Sequence, residues 1–575
     1  MTYLCDPRFS SYSGIEITAE VSRTSGVAPL FIFCNAIGTT GAEAPFQNLL
    51  YIWTVTGGSL GTWSISGLSK NVCYGGVASF VLPTAGTYTL TLEVFSGLAS
   101  KSTSWTITAT DPDTVYSTTN TIVVSTDGDF TGKPTGATEV PSSDFDSVLS
   151  TYLATGKRIL FRGGQTFTAS VTSTVDKTGP WTIGSFGTGR ANVALNAGVR
   201  TFRFGSSSAG GSDGRVLDLA IDGGSSETTK GCDLGGPFQN ILMSGCNFSN
   251  IGGVASLSNT ANGIPSGMCI TDGALTGFVG AAGGGNVGIY ALCENIAIQG
   301  MDIDNATAGE HCLRFQYFNK SVISQNRFEA PAPTKQCITL RAPEKTGIFA
   351  NLNSQYGVVS HNDMISAAGV TQPISIGKIS PSNAIAECNH VIYEANIHSA
   401  MSAAQQCIQI HSSYTTVRNN LITAPSNGTR GVSISRDTDG NASNPNPTGN
   451  DVYNNSIYFS GTVAANYGVD VVGATVENTR ISNNAVWGPN VTAVTVVQDT
   501  GTGTIGASGT YGNSGNAQAI STCPFVDTTP ALASEFAAAD YAVGGGDTDT
   551  ERFTNYSDER IGYGNTAPSM NVGAL

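Results

Sequence analysis

The hydrophobic pattern of the central part of the chain consists of short alternating runs. In seven four-residue runs the second and fourth positions are apolar, namely 312–315, 337–340, 373–376, 407–410, 431–434, 468–471 and 493–496. Alternation with a period of two predicts β-strands that bury one face. Because the runs recur at roughly the length of one solenoid coil, with little helical pattern between them, they predict stacked coils of a parallel β-helix.

A second motif sets the register of these coils. It reads polar residue, Asn, any residue, apolar residue, and its asparagines are Asn326, Asn362, Asn419, Asn455 and Asn484; a further copy places Ala395 in this column. Neighbouring copies are 24 to 36 residues apart. An Asn at a recurring turn tolerates the left-handed conformation and can hydrogen-bond to the Asn of the next coil. The predicted fold is all-β, with a right-handed parallel β-helix over residues 171–522.

Residues 15–110 show a different pattern, in which short strands are separated by Gly-rich turns, and predict a β-sandwich. Three stretches, 25–33, 51–53 and 83–94, resemble the polycystic-kidney-disease (PKD) type of immunoglobulin-like domain. Where that family usually has Gly-Asp-Gly after its Trp strand, this chain has Thr-Gly-Gly. The resemblance implies a spacer or adhesion module and not a catalyst.

Residues 111–170 are predicted to form a linker, a capping helix and the opening coil. Within this segment, residues 121–170 resemble the opening segment of β-helix proteins that bind or act on polysaccharides. Phe145, Val148 and Leu149 share one helical face, which suits a helix that covers the end of the solenoid core. Ser143 and Asp146 resemble a capping box at the start of this helix.

The two ends of the chain and two internal stretches are predicted to lie outside the regular coils. Residues 1–14 suggest a leader or attachment segment, and 523–575 are similar to the closing segment of secreted β-helix lyases. Two Gly-, Ala-, Ser- or Asn-rich stretches, 252–290 and 438–450, are predicted to be loops.

Composition and charge narrow the function. Charged residues make up only 12% of the chain and the net charge is −15, with no Lys- or Arg-rich run. We therefore expect no nucleic-acid partner. No run of about 18 apolar residues occurs, so no transmembrane helix is predicted. The N-terminus lacks the basic and then apolar segments of a secretory signal peptide. We therefore expect either that a signal peptide was removed or that the protein leaves the cell by another route.

The cysteines favour packing over cross-linking. Of the 12 cysteines, Cys312, Cys337 and Cys407 hold the same position in different coils, which predicts buried thiols. A bridge between Cys34 and Cys73 across the sandwich is left open. Without a Cys-x-x-Cys pair, no zinc site is predicted. Asp302 and Asp304 fit either a metal or acid pair or a solvated pair, and we expect no metal and no cofactor.

Outward side chains on neighbouring coils are the candidates for chemistry. One predicted column contains Gln325, His361, Glu394 and Arg418. If the protein is an enzyme, Glu394 and His361 are the predicted acid/base pair, because their column places them on adjacent coils. The alternatives are that these are ordinary solvated positions, or that the site lies between subunits or on residues 252–290.

A second predicted column contains Arg314, Arg341, His411 and, shifted by one position, Arg436. Arg binds a uronate carboxylate through two hydrogen bonds, and His titrates near neutral pH. The predicted glycan-binding residues are Arg341, Arg314, His411 and Arg418. Four aromatic residues could stack on sugar rings or pack between subunits, namely Tyr453, Tyr458, Phe459 and Trp487.

Taken as a whole, the sequence resembles pectate-lyase-like β-helix proteins of the phage-tailspike and polysaccharide-lyase type. The resemblance implies a bacteriophage tailspike, fibre or capsid spike on the virion surface that binds a bacterial surface polysaccharide. It also implies a homotrimer in contact with other virion proteins. The alternatives are a secreted polysaccharide lyase or glycoside hydrolase with an accessory PKD domain, and an adhesin without enzymatic activity. Whether a bond is cleaved stays open.

Overall fold

The computed structural model of this 575-residue chain describes residues 14–499 and 513–514. Within that span it leaves out 42–44, 97–98, 207–209, 258–262, 280–286, 305–309, 330–334, 344–346, 367–373, 379–386, 401–405, 425–429, 438–444, 454, 460–465, 474–475, 483 and 488–493. The predicted closing segment, residues 1–13 of the predicted leader and much of the predicted loop 438–450 therefore lie outside the described residues.

The N-terminal part is a β-sandwich of two sheets. Its inner sheet consists of Glu20–Val21, Leu30–Asn35 and Val77–Leu82. Its outer sheet consists, in spatial order, of Ser25–Val27, Ala99–Thr110, Gly86–Ser96, Leu50–Thr56 and Val72–Tyr74. Cys34 and Cys73 are both buried thiols, so the bridge that the sequence left open is not formed.

The rest of the described chain winds through three parallel sheets, which confirms a sandwich followed by a parallel β-helix. Sheet A consists of Ser173–Val175, Arg200–Phe204, Lys230–Leu234, Ala255–Leu257, the first parts of Ile289–Gln299 and Leu313–Ser324, Ile338–Arg341, Ile374–Lys378, Gln406–Ile410, Arg430–Ser435, Asn466–Val472 and Val494–Asp499.

Sheet B follows sheet A along each coil. It consists of Thr138–Pro141, Thr121–Ser125, Arg158–Arg162, Trp181–Phe186, Gly211–Leu217, Phe238–Ser244, Ser266–Thr271, the second parts of the two long strands, Ser354–Ser360, Cys388–Glu394, Ser413–Arg418, Asp451–Tyr453, Arg480–Ser482 and Asn513–Ser514.

Sheet C closes each coil and contains 12 strands in the described part of the chain. They are Thr166–Ala169, Ala191–Leu195, Leu219–Ser226, Asn247–Ile251, Ala274–Thr276, Asp302–Asp304, Arg327–Glu329, Asp363–Ser366, Ile397–Ala400, Leu421–Ala424, Ser456–Phe459 and Ala485–Trp487. The prediction that residues 252–290 form a loop was wrong, because this stretch contributes a strand to each of the three sheets.

The apolar ladder predicted from the alternating runs lies inside sheet A. Six of the seven runs are in the predicted register, with Leu313, Ile338, Ile374, Ile408, Val432 and Val469 paired in turn. The seventh run is shifted, because Val469 pairs with Val497 and not with Val494. Cys337 and Cys407 are fully buried thiols beside this ladder, as predicted.

An asparagine ladder runs along the turn between sheets B and C. Its members are Asn326, Asn362, Asn396, Asn420, Asn455 and Asn484, all fully buried. The side-chain amides of the first five donate to the Oδ1 of the next Asn at 2.9–3.1 Å, and all six donate to a carbonyl of the preceding coil. The predicted column was therefore wrong by one residue at two positions: Asn396 takes the place given to Ala395, and Asn420 that given to Asn419.

His398 occupies a core position where the ladder is otherwise apolar. It lies between Met364 and Ile422 on sheet C and is 1% exposed. Neither ring nitrogen has a hydrogen-bond partner among the described residues. Burial lowers the pKa of His398 from 6.5 to about 4. The folded protein therefore holds this ring neutral at a pH at which an unfolded chain protonates it.

Replacing His398 with Leu is expected to make the protein more resistant to acid. Since the folded pKa lies below the unfolded one, His398 lowers stability progressively as the pH falls from 6.5 to about 4. At pH 5 the effect is about 2 kcal/mol. Thermal unfolding of the wild type and His398→Leu between pH 7.5 and 4 measures it. Parallel curves for the two proteins over this range would contradict the burial of a neutral ring.

A short helix, Phe145–Tyr152, covers the first coil as predicted. Phe145, Val148 and Leu149 are buried and belong to the same apolar cluster as the inward side chains of the β-helix. The predicted capping box was wrong, because the Asp144 carboxylate accepts from the Ser147 N–H at 2.9 Å and makes Asp144 the N-cap. Asp146 instead accepts from the backbone N–H of Ser170.

The sandwich lies directly on sheet B. In the inner-sheet strand Leu30–Asn35, alternate residues face opposite sides: Leu30 and Ile32 enter the sandwich core, while Phe31 and Phe33 enter a second cluster. That second cluster combines the inner sheet with an outward column of sheet B, whose members are Leu242, Cys269, Ala297, Val322, Val358 and Ile392. Both faces of the strand are buried, which accounts for its unbroken apolar sequence.

Candidate functional site

Three of the residues predicted to bind or cleave a glycan lie beneath the sandwich. Glu394 and Arg418 are on neighbouring coils of sheet B, and two guanidinium nitrogens of Arg418 contact Glu394 Oε2 at 2.6 Å. Arg418 also donates to the Tyr453 hydroxyl at 2.9 Å and approaches the carbonyl of Gln47, in the sandwich helix Pro45–Asn48, at 3.5 Å. Glu394 is fully buried and Arg418 is 3% exposed.

His361 lies in the same interface. Its ring is 2% exposed and stacks on Tyr74 of the sandwich, with 5.6 Å between ring centroids. His361 and Glu394 are on adjacent coils as predicted, and the His361 N–H donates to the Glu394 carbonyl at 3.2 Å. They do not share a column, because Glu394 pairs with Ser360. A glycosidic oxygen cannot reach side chains covered in this way, so we assign Glu394, His361 and Arg418 to domain packing.

The outward face of sheet A is the second place where the predicted residues meet. One outward column runs through Tyr290, Arg314, Thr339, Ser375 and Gln409 on successive coils, about 4.8 Å apart. We call Arg314, Gln316, Thr339, Arg341, Ser375 and Gln409 the arginine face. The predicted glycan-binding residues Arg314 and Arg341 both belong to it.

Arg314 is held in place by two neighbours. Its guanidinium donates to Gln316 Oε1 at 2.7 and 3.1 Å and lies over the Tyr290 ring, 4.9 Å from the centroid. Stacking on an aromatic ring leaves the edge of a guanidinium available for planar partners such as carboxylates. Arg314 is thus oriented before any ligand arrives.

Arg341 lies two residues beyond Thr339 on the same strand. Its Nε is buried and has no hydrogen-bond partner among the described residues. Burial, and then the positive charge of Arg314, lowers the pKa of Arg341 to about 10, while Tyr290, Asp437 and Glu310 act in the opposite direction. An acidic ligand would relieve both the lost solvation and the repulsion between the two arginines.

Other polar atoms of the arginine face also lack partners in the part of the chain that the structure describes. They are Gln316 Nε2, Thr339 Oγ1, Ser375 Oγ and Gln409 Oε1. A buried polar atom left without a hydrogen bond costs about 1–3 kcal/mol. The four atoms lie on four consecutive coils, one on each, and each would gain from a water or another polar partner.

Charged residues that the sequence did not single out border this face. Glu310 is 5% exposed and receives Lys335 Nζ at 2.8–2.9 Å. Beside it, His311 Nδ1 accepts from the Gln336 N–H at 3.0 Å. Burial lowers the pKa of His311 well below its usual value, and the charges of Arg341, Arg314, Lys335 and Lys378 lower it further. His311 is therefore a neutral ring in a cationic surrounding.

His411, also predicted to bind glycan, lies on the next coils of this face. Its Nδ1 is 2.7 Å from the Ser435 carbonyl, to which a ring N–H donates. The backbone of His411 bonds to Ile376, the strand neighbour of Leu340. The structure thus brings Arg314, Arg341 and His411 to one face and places Arg418 on another. Sequence reasoning did not single out Glu310 and Lys335. The signal that could have identified them is their position just before the Cys312 and Cys337 runs.

The remaining candidates have more ordinary surroundings. Asp302 lies 4.0 Å from Arg327 on the exposed side of sheet C. Within the described ranges, no group of three His, Cys, Asp or Glu is arranged to hold a metal. Tyr453 and Phe459 are buried, and the side chains of Tyr458 and Trp487 lie outside the described part. Among the described residues, no helix is both long and apolar enough to span a membrane.

The sequence and the structure were compared with those of known proteins. No protein-family model matches the sequence, and no curated protein matches it. Among solved structures, an alginate lyase from Paenibacillus is 14% identical, with a TM-score of 0.31, and the match covers 65% of this chain and 95% of that one. The tailspike of E. coli bacteriophage HK620 in complex with a pentasaccharide is 14% identical, with a TM-score of 0.45, covering 66% and 72%.

A third solved structure, the GH136 lacto-N-biosidase from Eubacterium ramulus, is 12% identical, with a TM-score of 0.36, and the match covers 63% of this chain and 67% of that one. At these identities and TM-scores the likenesses say nothing about the chemistry of any site. The strand pairing of the described residues shows a two-part protein, a sandwich on a parallel β-helix.

Proposed function

We propose that this protein binds an acidic bacterial surface polysaccharide along the arginine face of sheet A. The observation that carries the proposal is the buried Nε of Arg341, which has no hydrogen-bond partner among the described residues and lies beside a second, oriented arginine. Two guanidinium groups on adjacent coils are complementary to carboxylates spaced along a polymer. Arg314 and Arg341 are both half-buried, so a polymer can reach the two guanidinium groups.

The setting that we propose is the surface of a bacteriophage particle, as a tailspike, fibre or capsid spike. The sequence resemblance of residues 121–170, and that of the sandwich segment to a PKD-type domain, support it. Assembly as a homotrimer, in contact with other virion proteins, belongs to the same proposal. In sheet C, outward positions change from Glu329 and Asp363 to Ile365 and Ile397 on the following coils, which supports contact between subunits.

Replacing Arg341 with Met is expected to weaken binding of acidic polysaccharides 10- to 100-fold, since a hydrogen bond to a charged group contributes about 1.5–3 kcal/mol. Binding of alginate, hyaluronate and neutral dextran to the immobilised protein measures this. The wild type should bind an acidic polymer, less tightly as salt is added, and should not bind dextran. Arg327→Met on sheet C, where Arg327 pairs with Glu329, is the matched control and should bind normally.

Equal binding of dextran and acidic polymers, or normal binding by Arg341→Met, would contradict the proposal. The same samples report cleavage through new reducing or unsaturated ends. A cleaving enzyme is the second candidate function, and the observation that favours it is the carboxylate of Glu310, which Lys335 holds at 2.8–2.9 Å at the border of the arginine face. Glu310→Gln should then stop the release of ends while polymer binding persists.

A further inference from the structure

A cleft of about 290 Å³ opens between the sandwich and the β-helix, away from the arginine face. It is lined on the sandwich side by the edge of the inner sheet and on the other side by the turns that lead into sheet B. The residues that matter here are Glu20, Ser22, Asn35, Asn240, Asn295 and Lys320. Almost every side chain that reaches it can donate or accept a hydrogen bond.

The β-helix wall of the cleft is a column of left-handed residues. Asn240, Gly267, Asn295 and Lys320 occupy one position on four successive coils, with φ between 52° and 76°. Asn and Gly adopt this conformation readily, but Lys is strained in it. A Cβ on residue 267 would lie 2.9 Å from the Asn240 nitrogen, so the glycine keeps this wall open.

The polar groups of the cleft are already oriented. Asn295 Nδ2 donates to Ser266 Oγ at 2.9 Å, and Asn35 Nδ2 donates to Glu20 Oε1 at 2.9 Å. Lys320 is half-buried, and within the described part of the chain it has no ion pair. Glu20, the carboxylate of the cleft, is engaged by Asn35. The cleft therefore combines fixed amides, one carboxylate acceptor and one cation that forms no ion pair within the described part of the chain.

We propose that this cleft binds a single acidic sugar residue. Lys320 would bind the carboxylate of the sugar, and Asn240, Asn295 and Glu20 would bind its hydroxyl groups. The class of ligand is taken from the proposed function, on which this inference rests. The cleft is a second site, separate from the arginine face. Because the sandwich and the β-helix each form one wall, the ligand also fastens the two domains together.

Ligand-observed NMR of the full chain with glucuronate and with glucose tests the cleft. The wild type is expected to bind glucuronate more tightly than glucose. Lys320→Asn should lower the affinity for glucuronate at least tenfold and leave the weak affinity for glucose unchanged. Asn tolerates the left-handed conformation, so this variant should fold normally, which its thermal unfolding checks. Lys320→Arg should keep glucuronate binding.

The outcomes separate this inference from the proposed function. Arg341→Met should leave glucuronate binding to the cleft unchanged. If the wild type does not distinguish glucuronate from glucose, or if Lys320→Asn binds glucuronate normally, the cleft is not an acidic-sugar site, whatever happens to polymer binding at the arginine face. If Arg341→Met binds acidic polymers normally while Lys320→Asn no longer binds glucuronate, the result supports the acidic-sugar site in the cleft. The same result contradicts polymer binding at the arginine face.

Discussion

Ile408→Asp is expected to destabilise the β-helix by about 4 kcal/mol or more, enough to unfold the central coils under mild conditions. Ile408 is fully buried and stacks between Ile374 and Val432 in the inward ladder of sheet A. A carboxylate at this position would enter an apolar core without a cationic partner or hydrogen-bond donor. Because each coil stabilises its neighbours, the disruption should spread along the solenoid.

Thermal unfolding and hydrogen exchange of the purified variant measure this effect. Ile408→Val is the matched control and should cost only about 0.5–1.5 kcal/mol, since it removes one methylene without adding charge. Thr166→Asp places the same carboxylate on an exposed, outward position of sheet C and should have little effect. A melting temperature of Ile408→Asp equal to that of Thr166→Asp would contradict the register of the ladder.

Glu394→Ala is expected to cost about 3–5 kcal/mol, because it leaves the buried guanidinium of Arg418 without a counter-charge. The guanidinium of Arg418 contacts Glu394 Oε2 at 2.6 Å and lies under the sandwich, beside the Gln47 carbonyl. The loss should therefore loosen the sandwich from sheet B as well as lower the melting temperature. Limited proteolysis and hydrogen exchange of the inner sheet report the loosening.

The double variant Glu394→Ala/Arg418→Met supplies the control for this prediction. Removing both charges avoids the unpaired cation, so the double variant should be more stable than Glu394→Ala alone. The result also distinguishes packing from catalysis. If Glu394→Ala keeps full stability and abolishes release of sugar ends, Glu394 is an acid/base residue and its assignment to domain packing is wrong.

The sequence by itself determined the class of fold and the inward side of sheet A. Alternation at Leu313, Ile338, Ile374, Ile408 and Val432 could be recognised because a buried β-ladder accepts only apolar side chains at every second position. The same reasoning identified the helix Phe145–Tyr152 as the cover of the first coil, since its apolar residues share one face. Both features depend on neighbours that are close in sequence or repeat along it.

The asparagine column shows where such reasoning fails. In each copy the residue two positions after the ladder Asn faces inward, and after Asn396 this residue is His398, which is polar. The motif requires an apolar residue there, so the sequence comparison used Ile397 instead. This choice shifted the predicted Asn position from Asn396 to Ala395. At the next copy, Leu421 faces outward and Ile422 faces inward, which produced the same shift for Asn420. A single polar residue in the core is enough to disguise the register.

The position of the sandwich was decided only by the tertiary structure. The apolar outward column of sheet B is consistent with a cover, but the sequence does not say what covers it, and nothing near Glu394, His361 or Arg418 shows that the sandwich lies over them. The contact between Arg418 and Gln47 joins residues 371 positions apart. Only the folded chain therefore separates the covered face of sheet B from the arginine face of sheet A, where Arg314 and Arg341 lie on neighbouring coils.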